Sequence, residues 1–276
     1  MQSGNILFNS LKKSFDLVLR NKSRVLLLFA LQVMFFLALF YLSYLHLPKI
    51  IESAKAMSDY LSGQQFDDVT IANKIMEQQD ILGDNPAMLE QNFNSIIGNF
   101  RIFLFYFFAA LLVFLSLAWA LTAEKKYFGF KKIFLKNFIV LFFCLGLIFV
   151  FFYLILGISF SEAALEGANA LAKYIPFFLF SVIIMYFAFI SLSLNGKHSS
   201  NEIILKSLKI GVKKIHYMAA AYFIIFILVI LFLYLAFYLV DINFFFSTIA
   251  LLFFIFSFVF GRILLFNVVN ELDKNM

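Results

Sequence analysis

Six stretches of this chain contain no charged side chain: residues 25–48, 102–123, 137–161, 174–196, 217–240 and 242–261. Each is 20 to 25 residues long, and about 20 helical residues cross the roughly 30 Å hydrocarbon core of a bilayer. The runs are continuous rather than alternating, and about twice as long as a barrel strand, so they predict helices. Composition removes the soluble alternative. Hydrophobic residues make up 63% of the chain and charged residues 14%, against roughly 45–50% and about 25% in soluble domains. A water-soluble fold of 276 residues has no interior large enough to hide that apolar surface. The expected fold class is all-α: a polytopic membrane protein with six transmembrane helices and amphipathic helices at the cytoplasmic interface.

The charged residues between the runs set the organisation. Predicted spans cover 25–47, 101–123, 137–160, 174–196, 217–240 and 245–268. They are joined by 48–100, 124–136, 161–173, 197–216 and 241–244, and flanked by 1–24 and 269–276. The first run is too long for the apolar core of a cleavable signal and follows five basic residues, so it is expected to be retained. Basic residues then choose the orientation. Lys12, Lys13, Arg20, Lys22 and Arg24 precede the first span, five lysines occupy 124–136, and five more occupy 197–216. With Arg262 and Lys274, one side holds 17 of the 22 basic residues. Basic residues near span ends stay in the cytoplasm, so both termini are expected inside, in the cell membrane. Tyr41, Tyr44, Tyr174, Tyr217, Tyr222, Tyr234 and Tyr238, with Trp119, fall near span ends and read as interfacial anchors.

One phrase is written twice. Residues 6–15 read ILFNSLKKSF and residues 203–212 read IILKSLKIGV, each ahead of a span. At 100° per residue, Leu7, Phe8, Leu11, Phe15, Val18 and Leu19 fall within one arc of about 120°, with Lys12 and Lys13 opposite. Ile204, Leu205, Leu208, Val212 and Ile215 fill the matching arc of the second copy, opposite Lys206, Lys209 and Lys213. A basic amphipathic helix of this kind lies in a membrane surface, its apolar face among acyl chains and its lysines at anionic headgroups. A shorter version, FKKIF at 130–134, supplies Lys131 and Lys132. The pattern is that of three parallel copies of a unit: surface helix, span out, outer connection, span back. The other explanation, that any basic helix beside a membrane looks alike, stays open. Ser199 and Glu202 have the spacing of a capping box and favour a helix start there over a nucleophile role for Lys197-His198-Ser199.

The 48–100 connection is acidic and is expected to be helical in pieces. Pro48 opens the first piece, 67–82 forms a second, and Asn85-Pro86 caps a third that runs into span two. It has no Cys/His metal cluster and no glycine-rich phosphate loop. The chain's lone Cys144 allows no internal disulfide. Motifs of membrane hydrolases are missing, so no catalytic residue, cofactor, metal or nucleic-acid partner is expected. Gln32 is the clearest polar group within a span and is expected to hydrogen-bond a neighbouring helix. Arg262 is expected to snorkel to the inner interface, and Gly146, Gly157 and Ala219–Ala221 to let helices approach closely.

The stretch SLKKSFDLVLRNKSRVLLLFAL, a basic surface helix entering the first of six spans, resembles a broad set of uncharacterised prokaryotic six-span proteins similar to the membrane domain of some glycerophosphodiester phosphodiesterases. The hydrolase domain's catalytic carboxylates have no counterpart, and the 48–100 connection is longer than the resemblance implies. The expected function is that of a non-catalytic multi-pass protein whose surface helices, through Lys12, Lys13, Lys131, Lys132, Lys206, Lys209 and Lys213, engage anionic lipid or a protein partner. Two alternatives stay open. One is a permease or channel component, its path lined by Gln32, Ser181, Ser191, Ser193 and Asn195. The other, with less in its favour, is a lipid enzyme using polar groups around Arg262 and Asn267.

Overall fold

The computed structural model describes the backbone of residues 3–63, 85–123, 129–166, 168–195 and 197–275. Among these residues the fold is all-helical, in eight helices: α1 (Ser3–Arg20), α2 (Lys22–Ser62), α3 (Pro86–Ala123), α4 (Phe130–Glu166), α5 (Ala168–Leu194), α6 (Ser200–Lys213), α7 (Ile215–Val240) and α8 (Phe244–Lys274). All but α1 and α6 are long and apolar enough to cross a membrane. The chain is a multi-pass membrane protein.

Several helices outrun their predicted bounds. Helix α2 continues through Pro48 to Ser62, and α5 contains Pro176. A proline inside a helix forfeits one backbone bond, a loss that long membrane helices tolerate. The 161–173 segment, read as a loop, has a helical backbone on both sides of residue 167. Phe130–Lys136, the third basic phrase, is the first part of α4 rather than a separate helix. Helix α3 starts at Pro86, directly after Asn85. The helix expected at 67–82, the lysines Lys125 and Lys126, the surroundings of Gly157 and the side chain of Tyr174 lie outside what is described.

The chain divides into two compact units. One comprises 36–110, the later part of α2 and the first part of α3. Its two helices run antiparallel, paired by Ser53 Oγ donating to Ser95 Oγ at 3.1 Å and by the Asn85 N–H donating to Tyr60 Oη at 3.0 Å. His46 stacks on Tyr106 with ring centroids 6.4 Å apart.

The other unit comprises 1–35 and 111–276, and α8 is its core. Sixteen α8 residues between Ser247 and Leu272 are buried, against α1, α5, α6 and α7. Val25 and Leu28 of α2, Ala118 of α3, and Val259 and Ile263 of α8 form a buried apolar cluster. Helices α7 and α8 make a tight hairpin. Asn243 caps α8 by accepting from the Phe245 N–H, and Ser247 Oγ donates to the Ala236 carbonyl at 2.7 Å. Gly261 lets α7 approach: a Cβ there would stand 2.8 Å from Ile225 Cγ2. Gly211 does the same for α6, where a Cβ would meet Phe187 Cε1 at 2.5 Å. At Gly146, by contrast, a Cβ would meet nothing within 4 Å, so among the described glycines those at 211 and 261 set close helix approach.

Aromatic placement also departs from expectation. Trp119 is 2% exposed and stacks on Phe189, and Tyr217 is buried as well. Tyr222 sits beside Tyr186, ring centroids 5.8 Å apart. These large rings fill space between helices, whereas Tyr41, Tyr44, Tyr234 and Tyr238 are exposed.

Candidate functional site at the basic end of the bundle

The two copies of the repeated phrase become α1 and α6, and they pack by the same positions. In register, Ser10 corresponds to Ser207 and Ser14 to Gly211. All four are buried, a pair of small residues one helical turn apart that lets a backbone lie close to its neighbour. Helix α1 lies on α8, where Asn267 Nδ2 donates to Ser14 Oγ at 2.9 Å. Helix α6 lies on α5, where Tyr186 Oη donates to the Gly211 carbonyl at 2.9 Å. Lys214 breaks α6 from α7, as Asn21 breaks α1 from α2. Ser199 starts α6 in extended conformation, its N–H donating to Glu202 Oε2 at 3.4 Å.

Docked by their small residues, α6 presents its apolar arc outward and α1 presents part of its own, Leu7, Leu11 and Val18 being half-buried. On α6, Ile204, Leu205, Leu208 and Val212 are all exposed, Leu205 at 70%, as is Ile215 at the start of α7. On α1, Phe8, Phe15 and Leu19 are exposed, although Phe15 also touches Phe260, with ring centroids 5.0 Å apart. Lys12, Lys131, Lys132, Lys209 and Lys213 are exposed. Lys13 and Lys206 are engaged within the protein.

Their partners are the last turns of α8. Lys13 pairs with Glu271, which also lies 3.5 Å from Lys274. Lys206 Nζ donates to Asp273 Oδ1 at 2.7 Å, and His198 Nε2 lies 2.7 Å from Asp273 Oδ2. Lys136 Nζ donates to the His198 carbonyl at 3.3 Å. The last turns of α8 therefore tie α1, α6 and the turn before α6 together, and Lys136 joins α4 to that turn. The hydrogen bond from Lys13 holds the Glu271 carboxyl below its usual range, against burial. Burial by itself would raise Asp273, but hydrogen bonds from Lys206 and His198 outweigh it and hold that carboxyl low. Sequence reasoning missed this hub. The signal that could have found it is charge: few acids lie on the basic side, and Glu271 and Asp273 are two of them.

Deeper in the bundle, Gln32 faces Arg262. Arg262 is buried, not snorkelled, and its Nη2 donates to Gln32 Oε1 at 3.1 Å. The polar residues of α5 do not converge on this pair. Ser181, Ser191 and Ser193 each donate to the carbonyl four residues back, at 2.9 Å. Asn195, in the turn directly after α5, donates from Nδ2 to Asn137 Oδ1 of α4 at 2.7 Å. Among the described residues no group of His, Cys, Asp and Glu is arranged to hold a metal ion. Two clefts among the described residues are apolar: one of about 450 Å3 between α2 and α8, lined by residues including Val25, Phe29 and Phe253, and one of about 610 Å3 lined by residues of α7 and Phe258. Comparison with protein-family models, with curated proteins and with solved structures finds no match to this chain.

Proposed function

We propose that this is a non-catalytic multi-pass protein of a cell membrane, both termini cytoplasmic, whose helices α1 and α6 lie in the inner membrane surface and engage anionic headgroups. The observation that carries the proposal is the outward apolar arc of α6, exposed beside Lys209 and Lys213. Water would make such an arc costly. Seating Ile204, Leu205, Leu208 and Val212 among acyl chains contributes about 6 kcal/mol at roughly 1.5 kcal/mol per side chain. Two exposed lysines add about 1 kcal/mol each near an anionic surface. The apolar term thus holds the helix in place, and the lysines select the lipid. The resemblance to prokaryotic six-span proteins rests on the same arrangement, a basic helix entering the first span.

Spin labels on single cysteines, introduced along 203–213 in a Cys144→Ser background and reconstituted in bilayers, test this. Oxygen accessibility should peak at Leu205, Leu208 and Val212, and accessibility to a water-soluble nickel complex at Lys209 and Lys213. Equal aqueous accessibility on both arcs would show that α6 stands clear of the membrane. Nanodiscs with and without anionic lipid separate the second half of the proposal: thermal stability should rise with anionic lipid and lose that rise in Lys209→Gln/Lys213→Gln.

A further inference from the structure

Arg262 lies nine residues before Glu271 on α8, about 13 Å further along the axis at 1.5 Å per residue. It is 8% exposed. A guanidinium offers five N–H donors and does not lose its charge. Nη2 gives one to Gln32, and Nη1 finds no hydrogen-bond partner among the described residues. Both side chains line a small cavity of about 20 Å3. Its remaining wall is Leu31, Phe35, Phe114, Leu115 and Ala118, which offer neither negative charge nor side-chain hydrogen-bond acceptor.

This is a positive charge held inside a membrane bundle with a neutral amide as its bonded partner. Buried charges pair, and ionisable groups within spans face cavities and counter-charges. The cavity has room for one water-sized atom and none for a phosphate or a carboxylate. A water would accept from Nη1 but leave the charge uncompensated. A monatomic anion does both, and Gln32, with its Oε1 accepting from Arg262, still has its amide N–H groups to donate. We propose that Arg262 and Gln32 form a binding site for a single small anion, chloride in the cell, between α2, α3 and α8. The anion then completes the contact between the first and last spans, and the packing of α2 on α8 depends on its concentration.

The test uses the full chain purified in detergent with gluconate as the sole anion, titrated with chloride or bromide at constant ionic strength. Thermal unfolding should shift upward saturably, by roughly 5 °C at a hundredfold excess over Kd. Arg262→Gln should abolish the shift. Because that variant could fail to fold, Gln32→Glu is the second arm. It places a carboxylate beside the guanidinium, so it should raise the unfolding temperature in gluconate and remove the chloride response. Crystals grown in bromide should show anomalous density beside Arg262 Nη1. A wild-type unfolding temperature indifferent to chloride overturns the proposal, as does an equal chloride response in wild type and Gln32→Glu. The first result would leave water as the occupant; the second would make the effect a general one of salt.

Discussion

The pair Lys206–Asp273 fastens α6 to the core helix, and its strength can be isolated by a double-mutant cycle of Asp273→Asn and Lys206→Met. Lys206→Met keeps the aliphatic stem and removes the charge. The Asp273 side chain is 8% exposed and that of Lys206 34%. A hydrogen bond to a charged group contributes about 1.5–3 kcal/mol, and the exposure of Lys206 brings this toward the surface value of about 1 kcal/mol. The predicted coupling energy is therefore about 1 kcal/mol, a factor of about 5 in the local opening equilibrium of α6. Hydrogen-exchange protection of the α6 amides, compared across the four proteins at pH 7, reads it directly. The sign of the pH dependence follows from Asp273, whose carboxyl is held low in the folded protein. Its contribution is complete above the unfolded carboxyl value of about 4 and disappears as pH falls through the lower folded value. Protection factors for α6 should thus fall as pH drops below about 4. Additive effects of the two substitutions, with no coupling, would refute the clamp.

Gly211→Ala should destabilise the docking of α6 by about 1 kcal/mol or more, because its Cβ would overlap the Phe187 ring. Gly146→Ala, with open space around the new methyl, should leave thermal stability unchanged or raise it by up to about 1 kcal/mol; the reverse order of the two variants would overturn the packing argument. Cysteines at Ser181, Ser191, Ser193 and Asn195 should resist aqueous thiol reagents, since the native side chains bond backbone or a neighbouring helix rather than a shared cavity. Ready modification along the series would restore a permease path.

The six spans were legible because the bilayer imposes length and charge-free composition, and each run falls within one long helix to within two residues. Helix facing was not. Helix α8 is apolar almost all round, so no periodicity marks which side meets α2, and Arg262 read as a snorkelling end group instead of an interior charge. Distance in sequence hid the hub: Lys13 and Glu271 are 258 residues apart. Trp119, Tyr217 and Tyr222 show the same limit, since proximity to a span end cannot distinguish a ring at the headgroups from one between helices. The repeated phrase was legible as amphipathic, and its apolar arcs do face outward on α6. Its other message, the small residues at Ser10 and Ser14 and at Ser207 and Gly211, needed the packed structure to become visible.

The threading of the six helices underlies every assignment of sides, and one labelling experiment addresses it. Single cysteines at Lys12, Lys55 and Lys209, each in a Cys144→Ser background, would be exposed to a membrane-impermeant maleimide on intact cells and after permeabilisation. The account predicts labelling of Lys55→Cys on intact cells, and of Lys12→Cys and Lys209→Cys after permeabilisation alone. Labelling of Lys12→Cys on intact cells, with Lys55→Cys protected, would invert the orientation and place the basic helices on the opposite face.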